Sequence, residues 1–396
     1  MALYQNSRYN TLMTKIRVIL TLITFLVVGF FGSLTIFYAK GYRLDFKTLK
    51  FLPKGILVIK SSPTGAQIFI DRTFRGASDS NFSLSPGVYD VEIKKDGFLP
   101  WYKRMTIEKE SVTQTNVLLF KAVPSLVPVT QNGAILPAIS PDSTKIVYAD
   151  TEGLWLIEAL SFPIGFSREP KRVTDAGLSP STSLGTSWEF SPNGQEILLS
   201  SPTGTYLLEA GTFTAQSQMV NITSKKAATL SAWQKEYRDK LLLQERNLPG
   251  ELQDVLQRKS SAVFFSPDET KILYTASASA SLTPDLIPPL PGASTQKQSR
   301  DITIDSTYVY DIKEDRNFLV NDNPNEKIFW LENNNLILVE TDRIIALDYD
   351  GTNRQPVFSG KFISPYVFPY INTSKLLILT SLGSSSPPNL YSLSIK

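Results

Sequence analysis

The chain of 396 residues contains no cysteine and no histidine. The first absence excludes disulfides, thiolate nucleophiles, cysteine-zinc sites and lipid attachment through sulfur. The second excludes Ser-His-Asp catalysis and histidine-ligated metals, because histidine is the usual general base near neutral pH and the commonest metal ligand. Charge is also scarce: 19% of residues are charged, with 40 basic against 37 acidic side chains and a formal net charge of +3. So even a balance does not point to a nucleic-acid partner. Ser, Thr, Asn and Gln fill the space, a composition common in β-rich domains outside the cytoplasm. The length suggests two or three domains.

What the chain does have is one long uncharged run, "VILTLITFLVVGFFGSLTIFY" at 18–38. At 1.5 Å per residue it reaches about 31 Å, enough for a bilayer core. It is too long for the apolar stretch of a signal peptide, and Tyr38-Ala39-Lys40 is a poor cleavage site. The expectation is an uncleaved transmembrane helix over 18–38, after a short cytoplasmic tail (1–17) and before a linker (39–54). Arg8, Lys15 and Arg17 precede the run, and Lys40, Arg43, Lys47, Lys50 and Lys54 follow it. Positive charge on both flanks leaves orientation open. The β-rich sequence that follows favours an extracytoplasmic bulk.

Residues 55–120 have strand character. Ile56–Lys60 and Gln67–Asp71 are short β-branched and aromatic runs bounded by Ser, Pro and Gly. Tyr89, Val91 and Ile93 alternate with Asp90, Glu92 and Lys94, which puts apolar side chains on one face of a strand. Ser85-Pro86-Gly87 and Lys95-Asp96-Gly97 are turn signals on either side. Pro63-Thr64-Gly65-Ala66, Asp71, Pro86-Gly87 and Gly97-Phe98 fall in the order of the PEGA domain signature, which this segment resembles. Thr64 stands where the motif has an acid. The resemblance implies a small β-sandwich acting as a spacer or binding module of the envelope, with no assigned site residues.

From about 125 onward one template recurs: "SPDSTKIVY" (140–148), "SPNGQEILL" (191–199) and "SPDETKILY" (266–274). A short apolar run precedes each, at 134–139, 187–190 and 261–265. Pro pre-sets the turn's second position and Asp or Asn follows. Strands are expected at Lys145–Ala149, Glu196–Ser200 and Lys271–Thr275, and third strands at 153–160 and 204–210. Degenerate copies carry Glu332-Asn333-Asn334 and Asn372-Thr373-Ser374 at the turn, and 389–396 supplies a final strand. The last step between turns is about 40 residues, the length of a four-stranded propeller blade. The repeat resembles a TolB-like β-propeller over 125–396, with five units counted and five to six blades expected. The stretch 126–130 is expected to complete the last blade by pairing chain ends.

Two insertions interrupt the repeat. Residues 224–259 place Leu230, Trp233, Tyr237 and Leu241 at helical spacing, then Leu252, Val255 and Leu256 on a second helix. This predicts a helical hairpin. Residues 277–300, rich in Ser, Pro and Ala, predict a long mobile loop.

The fold class is therefore mainly β: one transmembrane helix, a PEGA-like sandwich and a propeller. Asp142 and Asp268 could be taken for metal ligands, but a turn aspartate bonded to its own backbone explains them, and no calcium-binding D-x-D-x-D-G run occurs. No metal, cofactor or catalytic residue is expected. The expected role is a membrane-anchored, extracytoplasmic, non-enzymatic binding or scaffold protein of the cell envelope, with a protein, peptide or glycan ligand. The alternative is a propeller-based carbohydrate-active enzyme or an enzyme's accessory subunit. That would need two acids converging across the ring, drawn from Asp150, Glu152, Glu158, Glu209, Glu340 and Asp348.

Overall fold

The computed structural model describes residues 2–39, 42–45, 50–160, 169–175, 185–288, 294–383 and 387–396. Lys40 and Lys47, and residues 289–293 of the Ser/Pro-rich insertion, lie outside the described residues. The fold is mainly β. It divides into two compact units.

Helix α1 spans Ala2–Ala39. Within it Arg17–Ile36 has a mean hydropathy of 2.3 and none of it is buried, so it is long and apolar enough to cross a membrane. Three of its threonine hydroxyls are satisfied within the helix. Thr21, Thr24 and Thr35 donate to the carbonyls of Arg17, Leu20 and Phe31, one turn back, at 2.8–2.9 Å.

The first unit comprises Met1–Val91, Arg104–Val117 and Pro291–Thr295. A short hairpin pairs β1 (Arg43–Asp45) with β2 (Lys50–Leu52). Seven strands follow: β3 (Gly55–Ser62), β4 (Gln67–Ile70), β5 (Thr73–Ala77), β6 (Ser80–Leu84), β7 (Gly87–Lys94), β8 (Trp101–Ile107) and β9 (Val112–Leu118). They form two sheets, ordered β6-β3-β9 and β5-β4-β7-β8. Alternation produces the core: Leu57, Ile59, Ile68, Ile70, Val91, Met105 and Ile107 are buried. Gly55 tolerates no side chain, since a Cβ there would lie 2.3 Å from the carbonyl oxygen of Glu108. Asp71 takes φ 48° and its carboxylate accepts the Asp90 N–H at 3.0 Å, which gives the signature aspartate a turn-holding role.

The second unit comprises Glu92–Lys103, Leu118–Leu290 and Gln296–Lys396. Its strands are β10 (Ser125–Pro128), β11 (Ile135–Ile139), β12 (Lys145–Ala149), β13 (Leu154–Glu158), β14 (Lys171–Thr174), β15 (Ser187–Phe190), β16 (Glu196–Ser201) and β17 (Gly204–Glu209). After helices α2 (Lys226–Glu245) and α3 (Gly250–Arg258) come β18 (Ser260–Phe265), β19 (Lys271–Ala276), β20 (Ala280–Ser281), β21 (Asp301–Ile302), β22 (Thr307–Asp311) and β23 (Arg316–Asn321). Then follow β24 (Lys327–Glu332), β25 (Asn335–Val339), β26 (Arg343–Asp348), β27 (Gln355–Ser359), β28 (Val367–Tyr370), β29 (Lys375–Thr380) and β30 (Asn389–Ser394).

Among the described residues these give five blade-like sheets: β11-β12-β13-β14, β15-β16-β17, β18-β19-β22-β23, β24-β25-β26-β27 and β10-β30-β29-β28. The five units counted in the sequence are these five sheets. The last one joins the chain ends, with Leu126 opposite Leu393. Its central strands are apolar on both faces because each face serves a different neighbour. On β12, Ile146 and Tyr148 pack with Leu377 and Leu379 of the fifth sheet, while Val147 and Ala149 pack with Ile197 and Leu199 of the second. Leu273 meets Leu336 and Leu338 between the third and fourth sheets, and Ile337 meets Ile378 between the fourth and fifth.

The face of β19 carrying Ile272 and Tyr274 is different. It packs on Leu252, Val255 and Leu256 of α3. The helical hairpin expected at 224–259 is thus present, and its second helix supplies a packing surface for the third sheet. The Ser/Pro-rich insertion also has structure at its ends: β20 pairs with β21, and Leu282 is buried. Within the first unit, Thr295 donates its hydroxyl to the Arg104 carbonyl at 3.0 Å.

Candidate functional site

The three Ser-Pro-Asp/Asn turns are built alike. The serine N–H donates to the carbonyl of the residue five positions on, at 2.8–2.9 Å in Ser140–Lys145, Ser191–Glu196 and Ser266–Lys271. The serine Oγ accepts that same residue's N–H at 2.9, 2.9 and 3.0 Å. It donates in turn to Asp142, Asn193 or Asp268 at 2.6–2.7 Å. Thr144 and Thr270 add their own N–H and hydroxyl bonds to the aspartates. Burial alone would push both carboxyls up. The serine and threonine bonds, helped by Lys145 and Lys271, outweigh it and hold Asp142 and Asp268 below the usual carboxylate range. These acids are occupied as turn braces. Among the described residues no group of three or more acids could hold a metal ion.

The fourth position of each turn is left-handed: Ser143, Gly194 and Glu269 have φ of 57°, 66° and 55°. Only the middle copy has the residue suited to it.

The other candidate carboxylates are spread over three hairpins, β12–β13, β16–β17 and β25–β26, where neighbours engage most of them. Asp150 is buried and accepts from Glu152 N, Gly153 N and Trp155 Nε1 at 2.8–3.0 Å. Glu158 pairs with Lys171 at 2.6 Å and Glu340 with Arg343 at 2.7 Å. Glu152 and Glu209 are exposed.

Asp348 belongs to a buried polar cluster in the second unit. Trp101 Nε1 and Asn353 Nδ2 each donate to its Oδ2 at 3.0 Å. Lys103 Nζ lies 2.8 Å from Asp350 Oδ2 and 3.5 Å from Asp348 Oδ2. Burial would push Lys103 down, but the two carboxylates hold it above the ordinary lysine value. Burial pushes Asp348 up, and Asp350 adds to this against the pull of Lys103. One cation thus serves two acids, in an arrangement that ties residues 92–103 to β26.

A concavity of a different character lies elsewhere in this unit. A cleft of about 970 Å³ runs between β15 and β18 along α2. Its walls include Phe190, Phe264, Trp233 and Tyr237. Trp233 is half-buried, Tyr237 and Phe264 are about half-exposed, and Tyr237 donates its hydroxyl to the Val263 carbonyl at 3.5 Å. Leu230, Trp233, Tyr237 and Leu241, the stripe found in the sequence, all line it. Glu245, one turn further on, lines it too and is only 1% exposed. Gln257 Nε2 donates to Glu245 Oε2 at 2.8 Å, while Oε1 has no hydrogen-bond partner. Burial pushes the Glu245 carboxyl up, and the Gln257 bond offsets this only in part.

Residues 54–122 match the PEGA domain. The match takes in the four turn elements named from the sequence. A search of curated proteins found no relative. Among solved structures, similar chains include a putative TolB from Agrobacterium tumefaciens, at 10% identity over 65% of this chain and 76% of that one, with a TM-score of 0.22. TolB from Acinetobacter baumannii is 12% identical over 78% of this chain and 60% of that one, with a TM-score of 0.23. The AfRom2 CNH domain is 12% identical over 68% of this chain and 99% of that one, with a TM-score of 0.27. These likenesses are distant, and the propeller is defined by the five sheets themselves.

Proposed function

We propose that this chain is a membrane-anchored, non-enzymatic binding protein of the cell envelope. Helix α1 is the anchor and the bulk of the chain lies outside the cytoplasm. The PEGA domain serves as spacer or binding module, and the second unit presents the interaction surface. The cleft along α2 carries this reading. Its volume of about 970 Å³ lies near the top of the roughly 300–1,000 Å³ common for ligand sites, and it combines apolar walls with a single buried acid. The PEGA match and the unburied apolar helix support the membrane and envelope setting.

The test is photo-crosslinking in intact cells from a probe placed on the second unit, combined with protease shaving. Specific crosslinks to an envelope component, and cleavage of the bulk by external protease, are expected. Protection of the bulk would overturn the orientation. An N-terminus beginning beyond residue 39 in the mature protein would replace the anchor with a removed signal sequence.

A further inference from the structure

The cleft along α2 holds an acid that the protein pairs with no cation. Glu245 is 1% exposed, its Oε2 is held by a neutral amide, and its Oε1 is unpaired. The two arginines lining the cleft do not compensate it: Arg258 is paired with Asp254, and Arg238 is exposed and forms no ion pair with Glu245. A buried carboxylate lacking a partner is costly and is relieved by a cation that brings its own hydrogen bond. The walls around it combine aromatic and aliphatic side chains with neutral polar ones such as Gln234 and Ser261, and the apolar lining extends to Leu242, which is 42% exposed.

We propose that this cleft binds a segment of a partner protein in which a lysine or arginine stands beside a large apolar residue, with Glu245 receiving the cation. The lysine or arginine stem lies along Trp233 and Tyr237 while its charged head reaches the floor. The neighbouring apolar side chain fills the space between Phe190 and Phe264. A glycan fits less well, because its neutral hydroxyls leave the buried charge uncompensated. An acidic segment adds repulsion. The inference rests on the reading of the second unit as an interaction surface and names the chemistry of its ligand.

The experiment uses the full chain in detergent micelles and fluorescent peptides in which Leu-Lys-Phe, Leu-Arg-Phe, Leu-norleucine-Phe and Leu-Glu-Phe are set between Gly-Ser flanks. Wild-type protein should bind the Lys and Arg peptides about ten- to a hundredfold more tightly than the norleucine peptide, the range expected of a charged hydrogen bond. Glu245→Gln should abolish that preference, and Trp233→Ala should weaken every peptide. Should Glu245→Gln not fold, Tyr237→Arg at the exposed mouth substitutes for it and should weaken the basic peptides selectively. A preference for basic peptides that survives both variants overturns the proposal, as do equal affinities for all four peptides, no measurable binding, or capture by a glycan array with none by the peptides. Crosslinking separates this from the broader reading. Partner capture from a probe at Val127 on β10 but none from one at Tyr237 leaves the interaction surface standing and removes the cleft from it. Capture from neither site removes both.

Discussion

Helices α2 and α3 come from one insertion, yet they meet the propeller on different terms. On α3 the apolar face is finished: Leu252, Val255 and Leu256 are 0–2% exposed against β18, β19 and β22. On α2 the stripe stays partly open to a cleft, and the position that closes it is an acid, Glu245. A helix that only has to pack buries leucine at each stripe position. A helix that keeps aromatics half-exposed and buries a carboxylate gives up stability at that place. The difference teaches that α3 fastens the insertion and α2 forms a wall. Buried charge elsewhere in the same unit makes the contrast sharper, since Lys103 has two acids at hand and Glu245 has no cation.

The largest effect should follow from breaking the compensated charge. Lys103→Met leaves Asp348 and Asp350 buried together, and urea unfolding should show a loss of about 3–5 kcal/mol. A loss below 1 kcal/mol would mean that this cluster holds little together. Next comes the fastening helix. Leu252→Ala should cost about 2–5 kcal/mol by cavity formation. Trp233→Ala on α2 should cost clearly less in the same assay and show its effect in ligand binding. Equal losses in the two variants would erase the distinction between the helices.

Glu245 should behave in the opposite sense to Lys103. Its carboxyl is raised in the folded chain, so the folded state binds its proton more tightly than the unfolded state. Stability therefore falls as pH rises from the ordinary carboxylate value through that of Glu245. Glu245→Gln should match wild type in acid and be the more stable of the two at neutral pH, as read by melting temperature across a pH series. A variant less stable than wild type at neutral pH would mean that the acid has an internal cation after all.

The smallest effects belong to the turns. Gly194→Ala should cost about 1 kcal/mol, since φ 66° suits glycine and the new Cβ would sit 3.2 Å from the Asp142 carboxylate. Ser143→Gly and Glu269→Gly should be neutral to stabilising by up to about 1 kcal/mol. Destabilisation in both would show that their side chains, and not the backbone, set these turns.

Much of the architecture was legible because it is local. The turn template and the strand after it follow from Pro, Asp and a short apolar run. Strands β12 and β15 stand where the sequence placed them, and the stretch at 126–130 joins the last sheet as expected, with the register of Leu126 opposite Leu393 shown only by the structure. The PEGA turns were equally local. The Lys103 cluster was not legible, because its partner Asp348 lies 245 residues away and looks in sequence like any acid at a strand end. Half of the cleft was legible. The stripe Leu230, Trp233, Tyr237 and Leu241 has helical spacing, and adding one more step of four reaches Glu245. An acid on an apolar stripe is the signal that could have found it, but only tertiary packing shows that its charge is buried and unpaired.

The most direct test of the central claim is a double-mutant cycle between Glu245 and the ligand cation. Binding of the Leu-Lys-Phe and Leu-norleucine-Phe peptides is measured by calorimetry with wild-type protein and with Glu245→Gln. The account predicts a coupling energy of about 1–3 kcal/mol. A coupling indistinguishable from zero, with both peptides still bound, would contradict it.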